Sequence, residues 1–185
     1  LTAEAEVTGV ASRCRRDGSS LFAALLFHLS HAANAVSALR QRVRVEDEGE
    51  VVIEHDRVHP AFTVSAGGDL FNYTTVDLGD ELAPFAATVR ARSEALSGDP
   101  ELRPFEGLRD DLLFLSCLPW IRFTHVTHPM STRGVDTVPR IAWGRVVEEG
   151  GRRRCPVNLQ AHHGLVDGLH VARFLEALEA RTAPA

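Results

Sequence analysis

Between residues 19 and 37 hydrophobic positions recur at steps of three and four. Phe22, Leu25, Leu26, Leu29, Ala33 and Val36 fall on one stripe, which predicts a helix with Ser19 or Ser20 as its cap. The pattern then shortens to a period of two. Residues 42–45 and 51–54 flank the acidic turn Glu46-Asp47-Glu48-Gly49-Glu50 and predict a hairpin. Residues 61–65 and 71–77, parted by Gly67-Gly68, predict two more short strands. Asp80 is placed to cap a helix over 81–96, with Leu82, Phe85, Val89 and Leu96 on one side, and Ser97-Gly98-Asp99-Pro100 stops it. Residues 112–116 and 120–124 predict strands broken at Leu118-Pro119. Residues 140–147 predict another, turning at Glu149-Gly150-Gly151. Residues 153–163 alternate: Val157, Leu159, Ala161 and His163 on one face, Asn158, Gln160 and His162 on the other. A last helix from Leu169 to about Arg181 sets Leu169, Ala172, Leu175 and Leu178 in register. Many strands with three widely spaced helices predict an α+β fold, a two-layer sandwich of one mixed sheet with helices on one face. The first residues read as a polar segment without a predicted element.

The length of 185 residues fits one domain, 1–185, with room for a core. A net charge of -5, with no basic face, argues against nucleic acid as a partner. All 20 basic residues are Arg, from which no function follows. Cys14, Cys117 and Cys155 are scattered and form no CxxC pair, so reduced thiols in a cytoplasmic setting are expected rather than a disulfide framework. No apolar run is long enough to span a membrane, and no signal-peptide pattern opens the chain, which begins at Leu1. His125 and His128 are three apart, as are His28 and His31, a spacing that can hold metal on a helix. His125 and His128 follow a strand without an obvious third ligand, and His28 and His31 read as partly exposed helix residues, so no metal is expected.

The stretch His162-His163-Gly164-Leu165-Val166-Asp167-Gly168 carries the candidate chemistry. It reads HHxxxDG and lies between the last strand pattern and the last helix pattern. On a buried face His163 would lose hydration of its charged form and stay neutral near pH 7, as a general base must. A core histidine bonded to a backbone carbonyl is the plainer alternative. Asp167 is placed to cap the following helix and hold the turn. Gly164 and Gly168 permit a close approach or positive φ. His162 shares a face with Gln160 and Asn158, either in solvent or in a buried network at a subunit contact.

Three segments carry a family likeness. The run from Gln160 through the HHxxxDG motif to Leu169-His170-Val171-Ala172-Arg173-Phe174 resembles the C-terminal signature of chloramphenicol acetyltransferases. Ser116-Cys117-Leu118-Pro119-Trp120-Ile121-Arg122-Phe123 is similar to the family's S-x-L-P-W-x-x-F segment, and His59-Pro60-Ala61-Phe62-Thr63 to its D/H-P-x-F-T strand. HHxxxDG alone is shared with lipoamide acyltransferase cores and condensation domains; the Ser-x-Leu-Pro-Trp segment and the chain length make the chloramphenicol type more specific.

The resemblance implies direct acetyl transfer from acetyl-CoA, as cosubstrate, to a hydroxyl of chloramphenicol or a related small molecule, and with it antibiotic resistance. By motif position His163 matches the general base, Ser116 the serine that hydrogen-bonds the tetrahedral oxyanion, and Asp167 a structural aspartate that pairs with an Arg. Trp120 falls near the CoA channel. Phe71, Phe105 and Thr63 align with the acceptor pocket. The resemblance also implies a homotrimer with the active site at the subunit interface, where Gln160 and Asn158 would lie. The chain departs from the pattern in three ways. The family's N-terminal segment, which supplies the partner Arg and acceptor-touching aromatics, is not in it. Ala142 stands at a Thr position, and His128 stands where an apolar pocket residue is usual. Two alternatives follow: a non-catalytic trimeric protein that binds a small molecule or CoA, and an acyltransferase core using another acceptor.

Overall fold

The computed structural model describes residues 1–98, 109–130 and 135–184. In chain order the elements are β1 (Thr2–Glu6), α1 (Thr8–Asp17), α2 (Leu21–Asn34), α3 (Ser37–Arg40), β2 (Gln41–Glu46), β3 (Gly49–Glu54), β4 (His59–Gly67), β5 (Leu70–Thr75), α4 (Leu82–Leu96), β6 (Leu112–Leu118), β7 (Arg140–Gly144), β8 (Val147–Glu149), β9 (Arg152–Gln160) and α5 (Gly168–Thr182). Seven strands form one mixed sheet in the order β1-β9-β7-β6-β4-β5, with β8 paired to β9. The pairs β4–β6 and β6–β7 are parallel, and the rest antiparallel. The hairpin β2–β3 stands apart as its own two-stranded sheet. The fold is therefore α+β, as expected.

One face of the sheet carries the core. Phe62, Leu115, Ile141 and Leu159 are register partners across β4, β6, β7 and β9, and each is nearly or fully buried. They belong to one cluster with Leu25, Leu26 and Leu29 of α2, Phe85 and Val89 of α4, and Phe174 and Leu178 of α5. Phe22 lies edge-on to Phe62 at 5.8 Å and tilted over Trp143 at 5.6 Å, clamping α2 to the sheet. Ser20 caps α2 by accepting the Ala23 N–H at 3.2 Å, the predicted role.

The N-terminal residues are not an unstructured polar segment. β1 completes the sheet edge, and α1 buries Val10, Ala11 and Cys14, whose small size gave a weak hydrophobic signal. Residues 120–124 form no strand. Pro119, which has no N–H to give a ladder, ends β6, and the chain continues as a loop held where the Arg145 N–H donates to Ile121 O at 2.7 Å. Gly144 permits this approach, because a Cβ there would meet Ile121 O at 2.7 Å. Residues 140–147 divide into β7 and β8. Asp80 caps nothing; it accepts from the Arg57 guanidinium at 2.9 Å, and Glu81 precedes α4 without a side-chain cap. On α5 the buried stripe is Phe174, Leu178 and Thr182, while Leu169 is 56% exposed. The bulky Phe174 turns the helix away from the predicted register. His28 is buried rather than partly exposed, and neither ring nitrogen has a hydrogen-bond partner among the described residues.

The buried Arg42 guanidinium fixes the start of β6. It donates to Leu112 O and Gln41 O at 2.6 Å, Asp110 O at 2.7 Å and Leu39 O at 3.2 Å. The three cysteines are free thiols. Burial pushes the Cys117 thiol up to about 11 and the Cys155 thiol up to about 12, so neither is a nucleophile near neutrality. Among the described residues no helix is long and apolar enough to cross a membrane, and no group of three or more His, Cys, Asp or Glu could hold a metal ion.

Candidate active site

β9 ends at Gln160, before the alternating pattern does. His162 and His163 therefore lie on the turn to α5, where Leu165 N and Val166 N both donate to His162 O at 3.0 Å. Both imidazoles are exposed, so the burial on an apolar face expected of His163 is not found. The turn is tight: a Cβ on Gly164 would sit 3.0 Å from the His162 ring, and Gly164 fits without needing positive φ.

What the turn fixes is the tautomer of His163. Its Nδ1 is 3.2 Å from Val166 O. A carbonyl oxygen only accepts, so in the neutral ring Nδ1 carries the hydrogen and Nε2 bears the lone pair. A cleft of about 300 Å³, lined by Gln160, Ala161, His163, Val166, Asp167 and Val171 among others, opens beside it. Imidazole, cleft and pinned tautomer together supply what a general base needs: a bare nitrogen of fixed direction within reach of a bound proton donor.

Asp167 is the N-cap of α5. Its Oδ1 accepts the Leu169 N–H at 3.0 Å and the His170 N–H at 3.3 Å, and its own N–H donates to His170 Nδ1 at 3.1 Å, closing a capping box. The His170 N–H is the largest influence holding the Asp167 carboxyl below the usual carboxylate range. Among the described residues no Arg reaches this carboxylate; backbone N–H groups and His170 occupy it.

Ser116 sits on β6 one residue beyond Leu115 and faces away from the helices. Its hydroxyl makes no hydrogen bond among the described residues, which leaves it available as a donor. The register carries its row outward: Ser116 pairs with Ala142, Ala142 with Asn158, and Asn158 with Thr2. On the other side Ala61 pairs with Phe114, which continues to bring Thr63 beside Ser116, and Thr63 pairs with Tyr73. Thr63, Phe71 and Ser116 thus share the face opposite the core. Phe71 lies on the edge strand β5, 48% exposed and edge-on to Tyr73 at 5.5 Å. Trp120, 72% exposed, follows the end of β6, and the Arg145 guanidinium donates to its carbonyl. Phe105 lies outside the described residues.

Ser116 and His163 are not brought together within one chain. Two strand spacings separate β6 from β9, and His163 lies past the end of β9, which sets the two residues on the order of 15 Å apart.

Asn158 and Gln160 find hydrogen-bond partners within the chain. Asn158 is 1% exposed and satisfied within the chain. Its Nδ2 donates to Thr2 Oγ1 at 2.9 Å and Val126 O at 3.2 Å, and its Oδ1 accepts from His128 Nε2 at 3.1 Å. Gln160 holds the same loop, accepting the His128 N–H at 2.9 Å and donating to His128 O at 3.2 Å. Burial is the main cause that lowers the His128 imidazole from its ordinary value. The polar alternation of Asn158 and Gln160 announced a network; that a loop of the same chain supplies its partners could not be read from local pattern. A lone aromatic on a strand, such as Tyr73, and a histidine in a first helical turn, such as His170, carry no distinctive local signal.

A family model described as "Chloramphenicol acetyltransferase" matches residues 1–179. The chain belongs to the chloramphenicol acetyltransferase family. Membership makes it an acyltransferase and agrees with the likeness read from the three motifs. Chloramphenicol acetyltransferase 2 of Escherichia coli is 25% identical over 97% of this chain and 83% of its own length. Chloramphenicol acetyltransferase of Staphylococcus aureus is 22% identical over 97% and 82%. A solved chloramphenicol acetyltransferase superposes with a TM-score of 0.87 at 24% identity, covering 98% of this chain and 86% of that one. The dihydrolipoamide acetyltransferase of Azotobacter vinelandii shares the fold more distantly, at TM-score 0.69 and 16% identity, covering 99% of this chain and 80% of that one.

Proposed function

We propose that the chain transfers an acetyl group from acetyl-CoA to a hydroxyl of chloramphenicol or a related small molecule, with His163 as general base. The observation that carries this is the His163 Nδ1 contact with Val166 O, which leaves Nε2 bare at a cleft. Nε2 takes the proton of the acceptor hydroxyl as that oxygen attacks the thioester carbonyl. The Ser116 hydroxyl donates to the oxygen that gains negative charge. Collapse of the tetrahedral intermediate breaks the carbon–sulfur bond, and the proton on His163 passes to the departing CoA sulfur. Family membership and the names of the relatives support the acceptor class, and the same reading assigns antibiotic resistance as the biological role. Thr63, Phe71 and Phe105 would meet the acceptor and Trp120 the cosubstrate. Free thiols fit a cytoplasmic setting.

The separation of Ser116 from His163 supports a homotrimer whose sites form between subunits: one chain brings the base and its neighbour the oxyanion donor. The acid test has two arms. Thiol release from acetyl-CoA on adding chloramphenicol is expected; binding of both ligands without release would instead establish a non-catalytic binder. Co-expressing His163→Ala and Ser116→Ala chains is expected to restore activity, because some interfaces pair the two intact residues. Failure of that complementation between folded, co-assembled chains would put both groups in a single-chain site and end the shared-site reading.

A further inference from the structure

The Val166–Asp167 peptide group is bonded by an imidazole at each end. Its carbonyl accepts from His163 Nδ1 at 3.2 Å, and its N–H donates to His170 Nδ1 at 3.1 Å. The peptide is trans, so the two groups point in opposite directions within one rigid plane. Val166 is 7% exposed, which ties the plane to the core. The Asp167 N–H is directed at His170 Nδ1, so in the neutral ring that nitrogen carries the lone pair; Asp167 Oδ1, 2.9 Å away, can hold it only when it bears a proton. A hydrogen bond at the N–H end of a peptide polarises its carbonyl and strengthens the bond accepted there.

We propose that His170 is a positioning residue for His163, acting through the Val166–Asp167 peptide. By accepting the Asp167 N–H it holds the peptide plane at one angle and sharpens Val166 O as an acceptor, which keeps the His163 hydrogen on Nδ1 and the lone pair on Nε2. The third position of a capping box usually holds Glu or Gln; a histidine there does the same job with a ring nitrogen. This inference rests on the reading of His163 as the base, yet its central claim concerns the tautomer and can be measured without turnover.

The test compares His170→Ala and His170→Gln in chain labelled with ¹⁵N-histidine, the His163 signals being assigned by their loss in His163→Gln. In the parent chain His163 Nδ1 is expected to be protonated and Nε2 bare. His170→Ala is expected to give a mixture of the two neutral tautomers. Its kcat should fall about ten-fold while KM for either substrate stays within about two-fold, since ground-state contacts are unchanged and only alignment is lost. His170→Gln, whose side-chain oxygen can accept the Asp167 N–H, is expected to restore both tautomer and kcat. An unchanged His163 tautomer in a folded His170→Ala chain would overturn the inference, as would a His170→Gln chain that melts normally but keeps the defect. A tautomer shift in His170→Ala, combined with full turnover in His163→Ala, would uphold the coupling and remove the base assignment instead.

Discussion

Two rows of residues cross the same strands one position apart, on opposite faces. Phe62, Leu115, Ile141 and Leu159 face the helices and are at most 3% exposed. Thr63, Ser116, Ala142, Asn158 and Thr2 face the other way, and only Ala142 among them is apolar. The first row is closed by α2, α4 and α5. The second is covered at Asn158 by a loop and leaves the Ser116 hydroxyl without a partner among the described residues. The difference teaches that strand alternation divides labour: one parity packs against the helices, the other carries the polar side chains, some of them bonded to a loop as Asn158 is and some left to the site as Ser116 is.

The division breaks most severely if His163 or Ser116 proves necessary for folding. His163→Ala is expected to lower turnover by roughly 10²–10⁴, the usual contribution of a general base. Its melting temperature should stay within about a degree of the parent, because an exposed imidazole held by a single 3.2 Å contact with a carbonyl contributes little. Steady-state thiol release and a thermal melt of the same preparation check both halves. Wild-type turnover in His163→Ala would remove the residue from the chemistry.

Adjacent residues give the sharpest contrast. Leu115→Ala should destabilise the chain by about 2–5 kcal/mol, from lost transfer energy and the cavity left beneath α2. Its folded fraction should keep near-parent kcat. Ser116→Ala should do the reverse, lowering kcat by roughly 10²–10³ as an oxyanion donor is lost, with little change in a denaturant melt. If Leu115→Ala impaired kcat as severely as Ser116→Ala in fully folded protein, the two faces would not be separable.

The core row was legible because periodicity reports burial directly. The β2–β3 hairpin, β4, β5 and β6 followed from it within a residue or two, and α2 ended three residues earlier than its stripe. β1 and α1 were not legible: Ala5, Val10, Ala11 and Cys14 bury little area each and are made into core only by tertiary neighbours. Arg42 reads as a solvent-facing strand residue, and only the fold shows four carbonyls converging on its guanidinium. The candidate site was legible as motif and not as geometry. HHxxxDG marked His163 and Asp167, but periodicity extended β9 three residues too far and buried a histidine that stands on a turn. The separation of Ser116 from His163 is a property of strand order, which local pattern does not encode.

His28 is the exception on the helix side, a polar group inside the layer where sequence periodicity placed it near the edge. Burial, then the guanidinium charges of Arg181 and Arg13, with His31 after them, lower its imidazole from 6.5 to about 4. The unfolded chain therefore binds a proton that the folded chain refuses between those values. The stability this group contributes is complete above about 6.5 and is lost progressively as pH falls toward 4. His28→Leu removes both the titration and two unpartnered nitrogens, so it is expected to stabilise the chain by about 1 kcal/mol at pH 7. It should also flatten the decline of the denaturant midpoint between pH 6.5 and 4. A His28→Leu midpoint that falls with pH as steeply as the parent's would assign the acid sensitivity to other groups.

The smallest expected effect decides what Asp167 contributes to the polar side. A carboxylate that works by pairing with an Arg needs its charge, and Asn cannot replace it. A carboxylate that works by accepting Leu169 N–H and His170 N–H needs only an oxygen there, and Asn caps about as well as Asp. Asp167→Ala should therefore lower the melting temperature by a few degrees, while Asp167→Asn should change it by about one degree or less and keep most of the turnover. The carboxylate is exposed and, among the described residues, pairs only with the His170 imidazole, so a charge dependence beyond that pair would come from a group brought to it by a neighbouring subunit. Turnover lost equally in Asp167→Asn and Asp167→Ala, with the Asn melt intact, would show that the charge itself is used. The capping box would then be only half of what holds the His163 turn.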